Sequence, residues 1–297
     1  MNIEILANPN SGNGRGTERA QRIAELCSVR GHNVGIHFSR SRQDVSDWAE
    51  HSAKTAERLV IVGGDGTLNA AVNGFTATPP PIAISPLGTA NVLARVLKIS
   101  KNPRDTVTLL ERGVPQMIDT PFVHLQRDSN AIMQRSFLCL GFGLDGEIMR
   151  FMDEHRNGPI RLAEYLKPIG LALKNWKPHV QTVTADGEVI GEFACGIISG
   201  VNIYGSPLLR LGNSVLDDQR WELFLFKDIN ILNGGLFALA AASGQLRKHP
   251  SVTHLSVKHV TISGEQPAPV QIDGDFAGYS AVELDFDKSQ IPILTTT

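Results

Sequence analysis

The chain has 297 residues, 28 basic and 30 acidic, for a formal net charge of −2, and a hydrophobic share of 42%. That composition excludes a disordered tail protein, and near-zero charge gives no general pull toward nucleic acid, so any anion site must be built locally. Three scattered cysteines without a CxxC pair (Cys27, Cys139 and Cys195) argue against a disulfide framework or zinc site and fit a cytoplasmic protein.

Residues 3–7 are predicted as a strand, and residues 8–16 as a polar, glycine-rich loop. Residues 17–28 place Ala20, Ile23, Ala24 and Cys27 on one helical face. A second strand (34–38) and a second helix (44–56) follow. Residues 59–62 are continuously apolar, as a central parallel strand covered on both faces should be. Residues 81–85 read as a further strand and 90–97 as a further helix. This alternation predicts βαβ units and an α/β domain with a parallel-rich layered sheet.

After about Asp119 the pattern changes. Strands are predicted at 122–125, 136–140, 179–184, 193–199, 221–226, 256–263, 270–272 and 281–286, with helices at 145–152, 161–174 and 232–247. Asp186-Gly187 has the residue types of a hairpin turn. The expected division is 1–120, together with the tail 287–297, as the α/β unit, and 121–286 as a mostly antiparallel β domain. The stretch 229–246 carries no charged side chain, but Asn230, Asn233, Gly234, Gly235, Ser243 and Gln245 interrupt it. It falls short of the roughly 20 mainly apolar residues of a membrane span, so no transmembrane segment is expected. The start, Met1-Asn2-Ile3-Glu4, lacks the pattern of a signal peptide.

Three loops carry the first chemical signal. Gly63-Gly64-Asp65-Gly66-Thr67-Leu68-Asn69 lies between the most apolar strand and a helix. Its glycines allow close backbone approach to a ligand, and a helix N-terminus offers N–H groups to an anion. A tight turn with Asp65 as a cap would look the same locally. But residues 8–16 and Pro86-Leu87-Gly88-Thr89-Ala90-Asn91 are similar loops that follow neighbouring strands. Ligands of open α/β sheets bind beyond the carboxyl ends of strands, so the three loops point to a phosphate-bearing ligand. Neither GxxxxGK[ST] nor GxGxxG spacing is present.

With these segments the chain resembles the diacylglycerol kinase catalytic-domain family, in its bacterial soluble lipid-kinase branch. The resemblance rests on Asn8-Pro9-Asn10-Ser11-Gly12, Gly63 to Asn69 with Val72-Asn73-Gly74, and Pro86 to Asn91 with Ala94-Arg95. It continues through Gly141-Phe142-Gly143-Leu144-Asp145, Leu216-Asp217-Asp218 and Gln271-Ile272-Asp273-Gly274-Asp275, in family order. It implies a superfold shared with NAD kinases: an α/β domain and a β-sandwich domain with the nucleotide in the cleft they form. It also implies ATP- and Mg²⁺-dependent phosphorylation of a lipid hydroxyl at a membrane surface. Carried over by motif, Asn8, Ser11, Gly12, Ser39, Gly63, Gly64, Asp65, Gly66, Thr67, Leu68, Asn69 and Thr89 would bind nucleotide. Asp65 would act through Mg²⁺. Asp218, with the carbonyls of Val215 and Arg220, would hold a structural Mg²⁺, an oxygen-only set suited to a hard cation. Arg15 would add positive charge or remain a solvated loop residue.

A lipid hydroxyl needs a base. Asp273 and Asp275 match the acids of the family's DGE motif, with Asp273 the expected base and Asp275 assisting or exchanging roles. Locally, Asp-Gly is also just a hairpin signal, and Asp186-Gly187-Glu188 spells DGE more faithfully; only order along the chain favours Asp273. Four departures from the pattern bear on substrate and metal. Val92 follows Asn91 where diacylglycerol kinases commonly have Asp, position 70 is Ala where Glu is frequent, Gln219 stands where Gly is usual, and Asp275 is one methylene shorter than the glutamate of DGE. Asp119 is the remaining candidate for the acid network. The helix near 232–246, followed by Arg247, Lys248 and His249, suits either an anionic leaflet or a core helix with a basic end. An exposed edge strand could pair two chains in a homodimer. A kinase of a soluble hydroxyl on the same superfold, NAD kinase-like, and a non-catalytic nucleotide-binding regulator are the alternatives.

Overall fold

Residues 59–62 become the centre of a six-stranded sheet because helices cover both its faces. The computed structural model describes residues 1–127, 130–154, 170–171, 176–204, 206–212, 214–229, 231–287 and 289–296. The chain forms two units, Met1–Ile118 with Ser289–Thr297, and Asp119–Lys288.

In the first unit, β1 (Asn2–Ala7), β2 (Asn33–Phe38), β3 (Arg58–Gly63), β4 (Ile82–Pro86) and β5 (Val114–Asp119) are joined by a late strand, Gln290–Thr295. The order is β2-β1-β3-β4-(Gln290–Thr295)-β5. The pairs β1–β2, β1–β3, β3–β4 and β4 with the late strand are all parallel. Ile3, Ile5, Val60, Val62 and Ala83 meet Ala20, Ile23 and Cys27 of the helix Gly16–Ser28, and Val107 and Leu110 of the helix Pro103–Arg112. The latter helix starts where Asn102 accepts the Arg104 amide and Pro103 fills the first turn, a capped N-terminus. That helix, β5 and the late strand were not anticipated by apolar periodicity. The strand expected at 81–85 and the helix expected at 90–97 are found at Ile82–Pro86 and Val92–Val96.

The second unit is all antiparallel. Its strands are β6 (Phe122–Arg127), β7 (Asn130–Arg135), β8 (Cys139–Phe142), β9 (Gln181–Ala185), β10 (Glu188–Phe193), β11 (Cys195–Ser199), β12 (Ile203–Tyr204), β13 (Ser206–Arg210), β14 (Trp221–Phe226), β15 (Val252–Val257), β16 (His259–Ser263), β17 (Pro269–Ile272) and β18 (Asp275–Asp285). One continuous sheet runs β10-β9-β16-β18-β17-β8-β11-β14-β15, with β6 and β7 branching from β18, and β12–β13 form a separate ribbon. Val183 of β9 and Trp221 and Leu223 of β14, distant in that order, share one core with Phe142, Val260, Val270 and Leu284. The sheet therefore curls so that its two ends face each other across a common interior. At one end of the path, β10 carries Glu188 and Glu192 and a register shift between Val189 and Gly191, features that discourage edge pairing.

The helices Leu144–Glu154 and Ile231–Ala242 interrupt the strands. The expected strand at 136–140 begins only at Cys139; residues 137–138 instead form a bend. The helix expected at 161–174 lies outside the described residues except for 170–171, which are helical. Among the described residues no helix is long and apolar enough to cross a membrane.

Candidate active site

The three loops expected to cradle phosphate do meet, at the carboxyl ends of β1, β3 and β4. The second and third pack glycine on glycine: a Cβ on Gly88 would lie 2.6 Å from the Gly64 Cα. The first touches the third at Gly12, whose added Cβ would fall 2.5 Å from Leu87, and Gly12, Asn13 and Gly14 all have positive φ. Only glycine meets both demands at Gly12 without strain. Asn8 reaches the second loop, its Nδ2 lying 3.5 Å from Thr67 Oγ1, and its Oδ1 accepts the Asn10 amide at 3.0 Å. The Ser39 amide donates to the Ala7 carbonyl, which brings Ser39 to the end of β1 beside these loops.

Asp65 joins the second loop to the third. Its Oδ2 accepts the Val92 amide at 2.9 Å and its Oδ1 the Leu93 amide at 3.3 Å, so it sits on the start of the helix Val92–Val96. Asn91, buried and left-handed at φ 47°, closes the third loop by exchanging hydrogen bonds with Gly88 N at 2.9 Å and Gly88 O at 2.6 Å. Asp65 itself opens the eight-residue helix Asp65–Val72, whose capping residue Gly64 is extended. The first N–H groups of such a helix have no intrahelical acceptor, so they are available to an anion. Asn69 is buried and accepts Arg42 Nη2 at 2.7 Å, which places it on the side of this helix toward the helix Arg42–Ser52. Gly66 has open space where a Cβ would stand, and Thr89 is exposed on its loop. Arg15 turns back on its own loop, donating Nε to the Gly12 carbonyl at 2.8 Å.

Asp273 occupies a different kind of setting in the second unit. It begins the turn joining β17 to β18, with φ 51°, followed by Gly274 at 88°. Its Oδ1 accepts Ser136 Oγ at 2.6 Å and the amides of Leu138 and Cys139 at 2.9 and 3.0 Å; its Oδ2 accepts the Phe137 amide at 3.2 Å. Burial pushes this carboxyl above the ordinary range, and the hydrogen bonds from Ser136 and residues 137–139 only partly offset it. All those donors are neutral. Asp275 follows at the start of β18, half-buried. Behind the turn, Asp145 accepts Gln271 Nε2 at 2.8 Å and the Tyr204 hydroxyl; burial raises this carboxyl too, against those two bonds.

Asp186, the more faithful DGE spelling, is a true hairpin turn between β9 and β10. It accepts the amides of Lys258 and His259, both at 2.8 Å, and Arg220 Nη2 at 3.3 Å. Burial raises its carboxyl, but the two amides and the Arg220 charge outweigh that, and the net shift is downward. Asp218 is exposed, and its Oδ1 accepts the Arg220 amide at 3.0 Å. Gln219 adopts φ 57°, the left-handed conformation that glycine would take more easily, and its amide donates to Asp119 Oδ2 at 2.7 Å. Asp119, 2% exposed, also donates its own amide to the Leu216 carbonyl at 2.7 Å. It therefore anchors the loop that carries Val215, Asp218 and Arg220. Among the described residues no three His, Cys, Asp or Glu side chains gather into a metal-binding group.

The residues that grip Asp273 (Ser136, Phe137, Leu138 and Cys139) were not picked out from the sequence, nor were Gln271 and Tyr204 as partners of Asp145. Ser136 precedes Asp273 by 137 positions, and no local pattern announces that contact. Asn91 stood within a quoted motif, but its clasp on Gly88 shows only in three dimensions.

Residues 2–123 match the family model described as the diacylglycerol kinase catalytic domain. The chain is 26% identical to the diacylglycerol kinase of Staphylococcus carnosus (strain TM300), over 98% of this chain and 94% of that protein. It is 23% identical to the diacylglycerol kinase of Bacillus subtilis (strain 168), over 92% and 89%. Its fold matches the crystal structure of a diacylglycerol kinase from Bacillus anthracis str. Sterne with a TM-score of 0.72 at 16% identity, over 98% of this chain and 96% of that one. It also matches yeast NADH kinase, with a TM-score of 0.53 at 14% identity, over 100% and 84%.

Proposed function

With residues 2–123 matching the family model described as the diacylglycerol kinase catalytic domain, we propose that the protein is an ATP- and Mg²⁺-dependent lipid kinase. It transfers the γ-phosphoryl group of ATP to a lipid hydroxyl that is diacylglycerol-like, phosphatidylglycerol-like or sphingoid. The observation that supports this most is the packing of three glycine-rich loops at the strand ends of the first sheet, tied together by Asp65.

Phosphoryl transfer asks for positioning and charge neutralisation more than for covalent help from the protein. Asn8, Ser11, Gly12, Ser39 and Thr89 line the nucleotide, and the amides of Gly63, Gly64 and Gly66 hold phosphate oxygens. Thr67, Leu68 and Asn69 fix the helix turn that presents those amides. Asp65 suits Mg²⁺ on chemistry: its carboxylate is a hard oxygen ligand, and the Val92 and Leu93 amides fix its orientation. Mg²⁺ is commonly held by one or two carboxylates together with substrate phosphates. Asp218 with the carbonyls of Val215 and Arg220 is the candidate structural site, on the loop that Asp119 anchors. When bound at Asp65, the cation neutralises phosphate charge. Asp273 accepts the proton of the lipid hydroxyl as its oxygen bonds to the γ-phosphorus and the bond from that phosphorus to the ADP oxygen breaks. Asp275 assists at the same turn.

The protein works in the cytoplasm and meets its substrate peripherally. The helix Ile231–Ala242 has no charged residue; Phe237 and Ala241 are buried, while Leu236 and Leu239 are 57% and 67% exposed. Arg247 and Lys248 follow, both exposed. An uncharged outer face beside basic residues suits an anionic leaflet. Sedimentation with phosphatidylglycerol–phosphatidylcholine vesicles tests this: Leu236→Ser with Leu239→Ser should release the protein.

The defining experiment incubates the purified protein with Mg-ATP labelled at the γ-phosphate and a panel of glycerolipids and sphingoid bases. A labelled lipid supports the proposal. No labelled lipid from folded protein, or label on NAD instead, overturns it.

A further inference from the structure

Gly141-Phe142-Gly143-Leu144-Asp145 is left without a task by the phosphoryl-transfer reading. Asp145 lies in the first turn of the helix Leu144–Glu154. Its Oδ2 accepts Gln271 Nε2 at 2.8 Å, and its Oδ1 accepts the Tyr204 hydroxyl. Gln271, 1% exposed, places the same nitrogen 3.5 Å from Cys139 Sγ, and its Oε1 accepts the Gly274 amide at 2.9 Å. The orientation of this amide is dictated at both ends. A carboxylate takes only a donor and an N–H takes only an acceptor.

The glycines of the motif supply the room. A Cβ on Gly141 would stand 1.6 Å from Asp145 Oδ2, and one on Gly146 would stand 2.1 Å from the Pro269 carbonyl oxygen at the start of β17. Gly143 has φ 76°, and a Cβ there would fall 2.3 Å from the Ala194 carbonyl oxygen. A helix start is thus pressed against β8 and β17 closely enough for the part-buried Asp145 to reach one particular glutamine.

We propose that Asp145, acting through Gln271, is a positioning residue for the Asp273-Gly274-Asp275 turn. Ser136 and the amides of residues 137–139 hold the Asp273 carboxylate, while Gln271 holds the backbone one residue further on. Held from both sides, the turn presents Asp273 in one orientation. The catalytic part of this inference rests on Asp273 being the proton acceptor; the positioning part does not.

Two readouts on the full chain test it: amide exchange at Gly274 by NMR, and steady-state kinetics on the lipid that the wild-type protein phosphorylates. Asp145→Ala strands the Gln271 Nε2 donor, and Gln271→Met, similar in size, removes both of its polar ends. Each should speed Gly274 exchange about tenfold, the scale of one lost hydrogen bond, with exchange at Gly278 unchanged. Each should also lower kcat about tenfold at an unchanged KM for ATP, as a misplaced catalytic group does. Asp145→Asn should restore both, because its side-chain oxygen can accept from Gln271 while its nitrogen donates to the Tyr204 oxygen. Wild-type exchange at Gly274 in both Asp145→Ala and Gln271→Met overturns the proposal, as does equal acceleration at Gly274 and Gly278, which would mark general loosening. If the wild-type protein phosphorylates no lipid while Gly274 still responds, the kinase reading fails and the positioning stands.

Discussion

Asp186-Gly187 and Asp273-Gly274 have nearly the same backbone, with φ of 49° and 88° in one and 51° and 88° in the other. Both close hairpins in the same sheet, and both carboxylates accept amides from a neighbouring chain segment. Their electrostatics are opposite. Asp186 has Arg220 beside it and a lowered pKa, whereas at Asp273 desolvation outweighs the hydrogen bonds from Ser136 and residues 137–139 and the pKa is raised. A proton acceptor near neutral pH works best when its pKa lies close to the working pH, so of the two turns the second suits the proposed base better. The lesson is that turn chemistry fixes where a carboxylate points, and its surroundings fix what it can do.

The sharpest way to break this comparison is the paired substitution. Asp273→Asn should lower kcat by about 10²–10⁴, the usual contribution of a general base, with nucleotide affinity retained by calorimetry. Asp186→Asn should leave kcat within about twofold, because no reacting group depends on it. Equal losses at both sites would put catalysis elsewhere. Next is stability. Asp186→Ala leaves the Lys258 and His259 amides without their carboxylate, and should cost about 1–2 kcal/mol in a urea midpoint experiment.

A pH series separates the two turns further. The folded-state pKa of Asp186 lies below its unfolded value, so its stabilisation is present above that unfolded value and fades as pH falls through the folded one. The folded-state pKa of Asp273 lies above its unfolded value, so stability falls as pH rises from the unfolded value to the folded one. Proton acceptance needs the ionised form. The acid limb of kcat/KM should therefore lie above the ordinary aspartate range, and an acid limb at or below about pH 4 would contradict the assignment. The smallest expected effect is at Arg220. Arg220→Gln should raise the Asp186 pKa in an NMR titration and leave the acid limb of activity where it was.

Much of the first unit was legible because its signals are local. The apolar run at 59–62 and the glycine loops announce their strands and turns within a few residues. The rest of that sheet was hidden for a physical reason. Its last two strands contain Pro115 and Pro292, residues that remove a ladder donor and argue against strand in a sequence reading. Pro115 lies on β5, the edge strand, where that loss is best tolerated, whereas Pro292 lies one strand in, between β4 and β5. In the second unit, Asn130–Arg135 is not among the predicted strands but pairs with β6. For the candidate base, spelling favoured Asp186 and order along the chain favoured Asp273. The physical distinction, Arg220 beside one turn and Ser136 with the amides of residues 137–139 at the other, depends on contacts with residues dozens to more than a hundred positions away. Gln219 taught a related point: the left-handed conformation expected of glycine is present there with a glutamine in it.

The late strand Gln290–Thr295 lies between β4 and β5, although those two strands precede it by about two hundred residues. During synthesis on the ribosome, the sheet of the first unit must wait with a gap one strand wide while the whole of Asp119–Lys288 is made. The later-made unit can therefore finish folding first, and the exposed flanks of β4 and β5 are where a chaperone or a second nascent chain would find an open edge.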